Sequence, residues 1–84
     1  MRILMVEDAR DLAEGVIAHL ARSGVVCDLA PTINDARDCR AVQRYDAIIL
    51  DINLPDGSGL TLLREMRAQA DRTPILMLTA LASI

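Results

Sequence analysis

The chain has 84 residues, with nine Arg, twelve Asp or Glu, no Lys, and a formal net charge of −3. That length makes one small domain at most, and an acidic chain with scattered arginines argues against nucleic-acid binding by this segment and against a polybasic membrane patch. No apolar run reaches transmembrane length, and Met1-Arg2 leads straight into a strand-like run without signal-peptide architecture, so the cytoplasm is the expected compartment. Tyr45 is the lone aromatic of the Phe, Tyr and Trp class, so Ile, Leu, Val, Met and Ala must build the core. Cys27 and Cys39 lie twelve apart, with no second ligand pair for zinc, and read as small buried or half-buried thiols.

Ile3 to Val6 reads as a short buried strand ending at Glu7-Asp8. Asp11 is the expected cap of a first helix, with Glu14 three residues on. Leu12, Val16 and Leu20, flanked by Ala13, Ile17 and Ala21, predict a buried stripe, and Gly24 fits the end of the helix. His19 falls off the stripe and reads as a surface residue. Val25 to Ala30 predicts a second strand, with Asp28 marking an edge position. Thr32 is a plausible cap for a helix from about Ile33 to Arg44, whose thin stripe is Ile33, Ala36, Cys39 and Val42.

Ala47 to Leu50 is a third strand, stopped abruptly by Asp51. The loop after it is punctuated by Pro55, Gly57 and Gly59, with Asp56 as a turn residue. Ser58 caps a third helix of about Gly59 to Ala70, with Leu62, Leu63 and Met66 inward. Asp71 to Pro74 turns into a fourth strand, Ile75 to Leu78, ending at Thr79-Ala80. The pattern β-α-β-α-β-α-β predicts one α/β unit, a parallel sheet with right-handed crossovers and helices on both faces.

Open parallel sheets place their chemistry at the carboxyl ends of the strands. Acidic residues often end strands merely because loops are wet, and Asp8 has a reading as a helix cap. Yet Glu7, Asp8 and Asp51 end the first and third strands, and Thr79 ends the fourth. With the first and third strands as neighbours, three carboxylates converge, and their mutual repulsion calls for a cation. Oxygen-only ligands of this kind suit Mg²⁺, and a central Asp51 beside it suits phosphoryl transfer onto an aspartate.

These residues resemble the receiver, or phosphoacceptor, domain of bacterial two-component response regulators. The resemblance rests on Glu7-Asp8, Asp51, Asn53, Pro55, Gly59 and Thr79-Ala80, and spans essentially the whole chain. It implies a flavodoxin-like (CheY-like) sheet in the order second, first, third, fourth strand. It also implies a histidine kinase as phosphoryl donor to Asp51, with Mg²⁺ held by Asp8, by Asp51, by Glu7 through water and by the Asn53 backbone carbonyl. Thr79 and Ala80 take the phosphoryl-switch role. Leu54 to Leu60 resembles the subfamily that carries a winged-helix DNA-binding effector domain, so the expected whole is a transcriptional regulator. The module is a phosphoacceptor rather than a conventional enzyme.

The chain departs from that family after its fourth strand. The family's fifth strand, last two helices and conserved-role lysine have no counterpart in these 84 residues, so residues 1–84 read as an incomplete receiver without an effector domain. An exposed strand Ile75, Leu76, Met77 and Leu78 at the sheet edge predicts self-association, most simply a symmetric dimer. A pseudo-receiver acting as a phosphorylation-independent interaction module is the alternative, favoured by the missing lysine. A phosphatase of the aspartyl-phosphate type wants a second carboxylate where Asn53 stands, and Glu7 to Arg10 lacks the glycines of a dinucleotide-binding turn.

Overall fold

A computed structural model describes residues 1–78. Four strands, β1 (Arg2–Val6), β2 (Val26–Ala30), β3 (Ala47–Asp51) and β6 (Ile75–Leu78), form a parallel sheet in the order β2-β1-β3-β6. This is the predicted order of a CheY-like sheet. Between β3 and the third helix, Asn53–Leu54 (β4) pairs antiparallel with Gly57–Ser58 (β5), a two-residue ladder where a plain loop was expected. The helices are α1 (Arg10–Ala21), α2 (Ile33–Val42) and α3 (Gly59–Ala68).

Side chains alternate across each strand. Leu4 and Val6 of β1 and Ile48 and Leu50 of β3 join Ile33 and Ala36 of α2 and Leu62 and Met66 of α3 in one buried cluster. Complete burial of a side chain such as Leu62 or Met66 is worth about 1.5–3 kcal/mol. Ile3 and Met5 lie on the opposite face, where Ala13 of α1 is also buried.

Three local expectations need correction. Asp11 is not the cap of α1: the helix starts earlier, Ala9 is its N-cap, and no side chain accepts there. The exit from β1 is instead held by Glu7, whose Oε2 accepts the Ala9 N–H at 3.0 Å, while Asp11 sits in the first turn, where its charge suits the helix dipole. The α1 stripe is only partly buried: Ala13 is covered, but Val16 and Leu20 are half-buried and Leu12 is 55% exposed. The α2 and α3 side chains belong to the opposite, buried cluster, so none of them covers the outer side of α1. Finally, α2 stops at Val42, which is 86% exposed, because Gln43 is already extended.

Other expectations hold. Thr32 Oγ1 accepts the Asp35 N–H at 3.0 Å, and Ser58 Oγ accepts that of Leu60 at 3.2 Å. Gly24, at φ +79°, closes α1 by donating to the Ala21 carbonyl at 3.0 Å. His19 is exposed, and both cysteines are half-buried free thiols. β2 is an edge strand, and its half-buried Asp28 accepts from Arg2 Nε at 3.1 Å and Tyr45 Oη at 2.7 Å. Those bonds hold the Asp28 carboxyl below its ordinary range, Tyr45 first and Arg2 second, while partial burial and then the hydrogen bond to Asp28 push the Tyr45 hydroxyl upward.

Candidate functional site

β1 and β3 are direct neighbours with Val6 opposite Leu50, so the residues that follow, Glu7 and Asp51, leave the sheet side by side. Glu7, Asp8 and Asp51 each present one carboxylate oxygen within 4.8 Å of the others. Glu7 is buried at 5% exposure, Asp51 is half-buried and Asp8 is exposed, so the cluster opens to water on one side. Burial, followed by the Asp51 and Asp8 charges, pushes the Glu7 carboxyl above its ordinary value, against the downward pull of the Ala9 N–H. Burial is the larger cause, and the neighbouring like charges add to it. A hard cation with oxygen ligands and retained waters relieves it, and the donor set fits Mg²⁺ chemistry.

The backbone around Asp51 is tightly held. Ile52 donates to Leu78 O at 3.3 Å, extending the β3–β6 pairing past the aspartate. Gly59 donates to Ile52 O at 2.7 Å, which brings the start of α3 directly behind β3. A Cβ at position 59 would overlap the carbonyl oxygen of Asp51 and press on Leu50 Cδ1 at 3.2 Å. Only glycine fits there. Its place in the loop was legible in the sequence, but the reason is a backbone approach that no local pattern encodes.

Asn53 is exposed, two residues beyond Asp51 on β4. Thr79 and Ala80, assigned the phosphoryl-switch role, lie outside the described residues. Asp56 is the expected turn residue and has a second role as well. Rather than a turn residue alone, it caps α2 from across the molecule, its Oδ1 accepting from Ile33 N at 2.9 Å and its Oδ2 from Asn34 N at 3.0 Å. These bonds, Ile33 first, hold its carboxyl below the ordinary range. Nothing in the spacing signalled a partner 23 residues away.

Two clefts lie elsewhere. One of about 360 Å³ opens between Arg40, Tyr45, Ile48 and Asp71 at the amino ends of the strands, and one of about 370 Å³ runs along Leu12, Val16 and Leu20 of α1. Among the described residues, no helix is long and apolar enough to cross a membrane.

A family model described as the response regulator receiver domain matches residues 3–84. The transcriptional regulatory protein PmrA of Pectobacterium parmentieri is 40% identical over 80 residues, which are 95% of this chain and 36% of that protein. The receiver domain of a Francisella response regulator superposes with a TM-score of 0.90 at 26% identity, covering 95% of this chain and 66% of that one. The Thermotoga maritima response regulator TrrA, solved in complex with Mg²⁺-BeF, gives a TM-score of 0.87 at 33% identity over 98% of this chain and 71% of its own. The chain thus spans about a third of its curated relatives and about two thirds of the solved receiver domains.

Proposed function

The chain belongs to the response regulator receiver domain family, and on that premise we propose that Asp51 accepts a phosphoryl group from the phosphohistidine of a histidine kinase. The convergence of Glu7, Asp8 and Asp51 at the carboxyl ends of adjacent strands carries this reading. Asp8, Asp51, the Asn53 backbone carbonyl and, through water, Glu7 would hold Mg²⁺. The bound ion supplies charge neutralisation for the incoming phosphoryl oxygens.

In the transfer, an Asp51 carboxylate oxygen forms a bond to phosphorus as the P–N bond to imidazole breaks. The N–P electron pair stays on the leaving imidazole, which takes up a proton, and an aspartyl phosphate remains. Thr79 and Ala80 would take the phosphoryl-switch role, with the Thr79 hydroxyl donating to a phosphoryl oxygen. These 84 residues hold no lysine, so within them no ammonium pairs with the phosphoryl group. Loss of a single such electrostatic partner costs on the order of 3 kcal/mol in comparable sites.

The signal passes to an effector domain in a longer regulator, a transcriptional one by the likeness to PmrA. Residues 1–84 then act as the receiver portion, in the cytoplasm. The chain itself would associate with a second copy through the β6 edge, where Leu76 is 63% exposed. The exposure of Leu76 on that edge favours a second reading of residues 1–84, a phosphorylation-independent interaction module.

Intact mass after incubation with Mg²⁺ and acetyl phosphate separates the two. One added phosphoryl group in the parent and none in Asp51→Asn supports transfer. No adduct in the parent, with Mg²⁺ bound, overturns transfer and leaves the interaction module.

A further inference from the structure

The four leading N–H groups of a helix have no partner within it. In α2, whose N-cap is Thr32, the three beyond the cap belong to Ile33, Asn34 and Asp35, and Ala36 makes the first bond of the helix itself. Ala36 donates to the Thr32 carbonyl at 3.0 Å and Asp35 to the Thr32 hydroxyl at 3.0 Å. The remaining two donate to Asp56, one to each carboxylate oxygen. Two of the three donors beyond the cap are met only because a residue from another segment supplies the acceptors. A carboxylate at the positive end of a helix makes these charge-assisted bonds.

The segment that supplies it is the one that follows Asp51. Its base is pinned by Gly59 N to Ile52 O, and its middle by the Asn53–Ser58 and Leu54–Gly57 pairs. A ladder two residues long does not hold itself in water. Asp56 pins the tip. Gly57 follows at φ +140°, and a Cβ there would touch Ile33 Cδ1 at 3.4 Å, so the loop also lies close over the first residue of α2.

We propose that Asp56 is a positioning residue, whose grip on the Ile33 and Asn34 N–H groups fixes the β4–β5 loop and thereby the Asn53 carbonyl beside Asp51. The role of Asn53 as a metal ligand rests on the function proposed above; the grip itself does not. Asp56 joins the loop to α2, and α2 is tied onward to α3 by the Arg37–Glu65 pair. By reciprocity, an ion that orders Asn53 also tightens the hold on α2.

Two measurements on the 84-residue chain test this, each with Thr32→Ala as control, a variant that removes the other α2 cap without touching the loop. The first is native-state hydrogen exchange of the Gly59 amide without metal. Asp56→Ala should speed it roughly tenfold, the loss of a capping interaction expressed as local opening. Asp56→Asn, which keeps one acceptor oxygen, should fall between, and Thr32→Ala should match the parent. The second is Mg²⁺ titration by calorimetry, where Asp56→Ala should weaken binding about fivefold and Thr32→Ala should not. Gly59 exchange in Asp56→Ala equal to that in Thr32→Ala overturns the grip. Faster exchange with unchanged Mg²⁺ affinity overturns the positioning of Asn53. A parent that binds no Mg²⁺ overturns the proposed function instead, and the exchange data still decide the grip.

Discussion

Gly59 and Glu7 show how single residues set the terms of the site. At position 59 the helix start and the Asp51 carbonyl approach so closely that no side chain can be inserted. Gly59→Ala must therefore displace either α3 or the phosphoacceptor backbone, an overpacking cost of about 3 kcal/mol. The urea midpoint should fall accordingly, and an unchanged midpoint would show that the approach relaxes freely. Glu7 carries an electrostatic cost of the opposite kind. Its carboxyl is raised in the folded protein, so the folded state holds the proton more tightly, and stability is lost as pH rises through that value. At neutral pH the ionised cluster is a liability that Mg²⁺ removes. Free Mg²⁺ at a hundredfold its dissociation constant should add about 2.7 kcal/mol. Thermal melts should show this as an upshift that is lost in Asp51→Asn, a variant expected to be more stable than the parent without metal.

Among the elements, α2 is anchored in the core by Ile33 and Ala36 and tied to its neighbours by ionic contacts. Arg37 spans to Glu65 of α3, with Nε donating to Oε1 at 3.0 Å, and Arg40 reaches Asp71 Oδ2 at 2.8 Å. Asp71 is the better placed of the two acids, because its Oδ1 also accepts the Thr73 hydroxyl at 2.6 Å and the Thr73 N–H at 3.0 Å, fixing the turn into β6. These bonds, the Thr73 hydroxyl first, draw its carboxyl down to about 2 from 3.8. A lowered carboxyl stabilises the fold above its unfolded value and stops doing so as pH falls through its folded one. The stability gap between the parent and Asp71→Asn should therefore be constant from neutral pH to about 4 and close towards about 2. Urea titrations across that range read it directly, and a gap that persists at the acid end would remove Asp71 from the account. The Arg37–Glu65 pair is more exposed, and surface pairs of that kind contribute about 0–1 kcal/mol.

For the whole molecule, the uneven covering of the sheet is the dominant feature. One face is closed by α2 and α3, whereas on the other Leu12 and Leu76 are 55% and 63% exposed, with Val16 and Leu20 half-covered. Among the described residues β6 is paired on one side only. An apolar edge strand beside an apolar patch is a template for another copy. Sedimentation at tens of micromolar should give a dimer or larger species for the 84-residue chain, and Leu76→Lys should shift it to monomer. A monomeric parent would sink the pairing proposal, since the strand edge would then be harmless as it stands.

Alternating strand and helix periodicities in the sequence determined the three helices and the four parallel strands of the main sheet, because local hydrophobic pattern and short connections leave few other topologies, while the order of those strands followed from the resemblance to receiver domains. They also brought out Glu7, Asp8 and Asp51, since acids that end buried apolar runs are visible without coordinates. Tertiary structure alone decided how closely those acids meet, a consequence of the Val6–Leu50 register. It alone decided that Asp56 serves a helix 22 and 23 residues upstream. It also decided that α1 keeps much of its apolar stripe in water. A stripe states which side of a helix is apolar, but burial requires a neighbour, and neighbours are set by packing across the sheet.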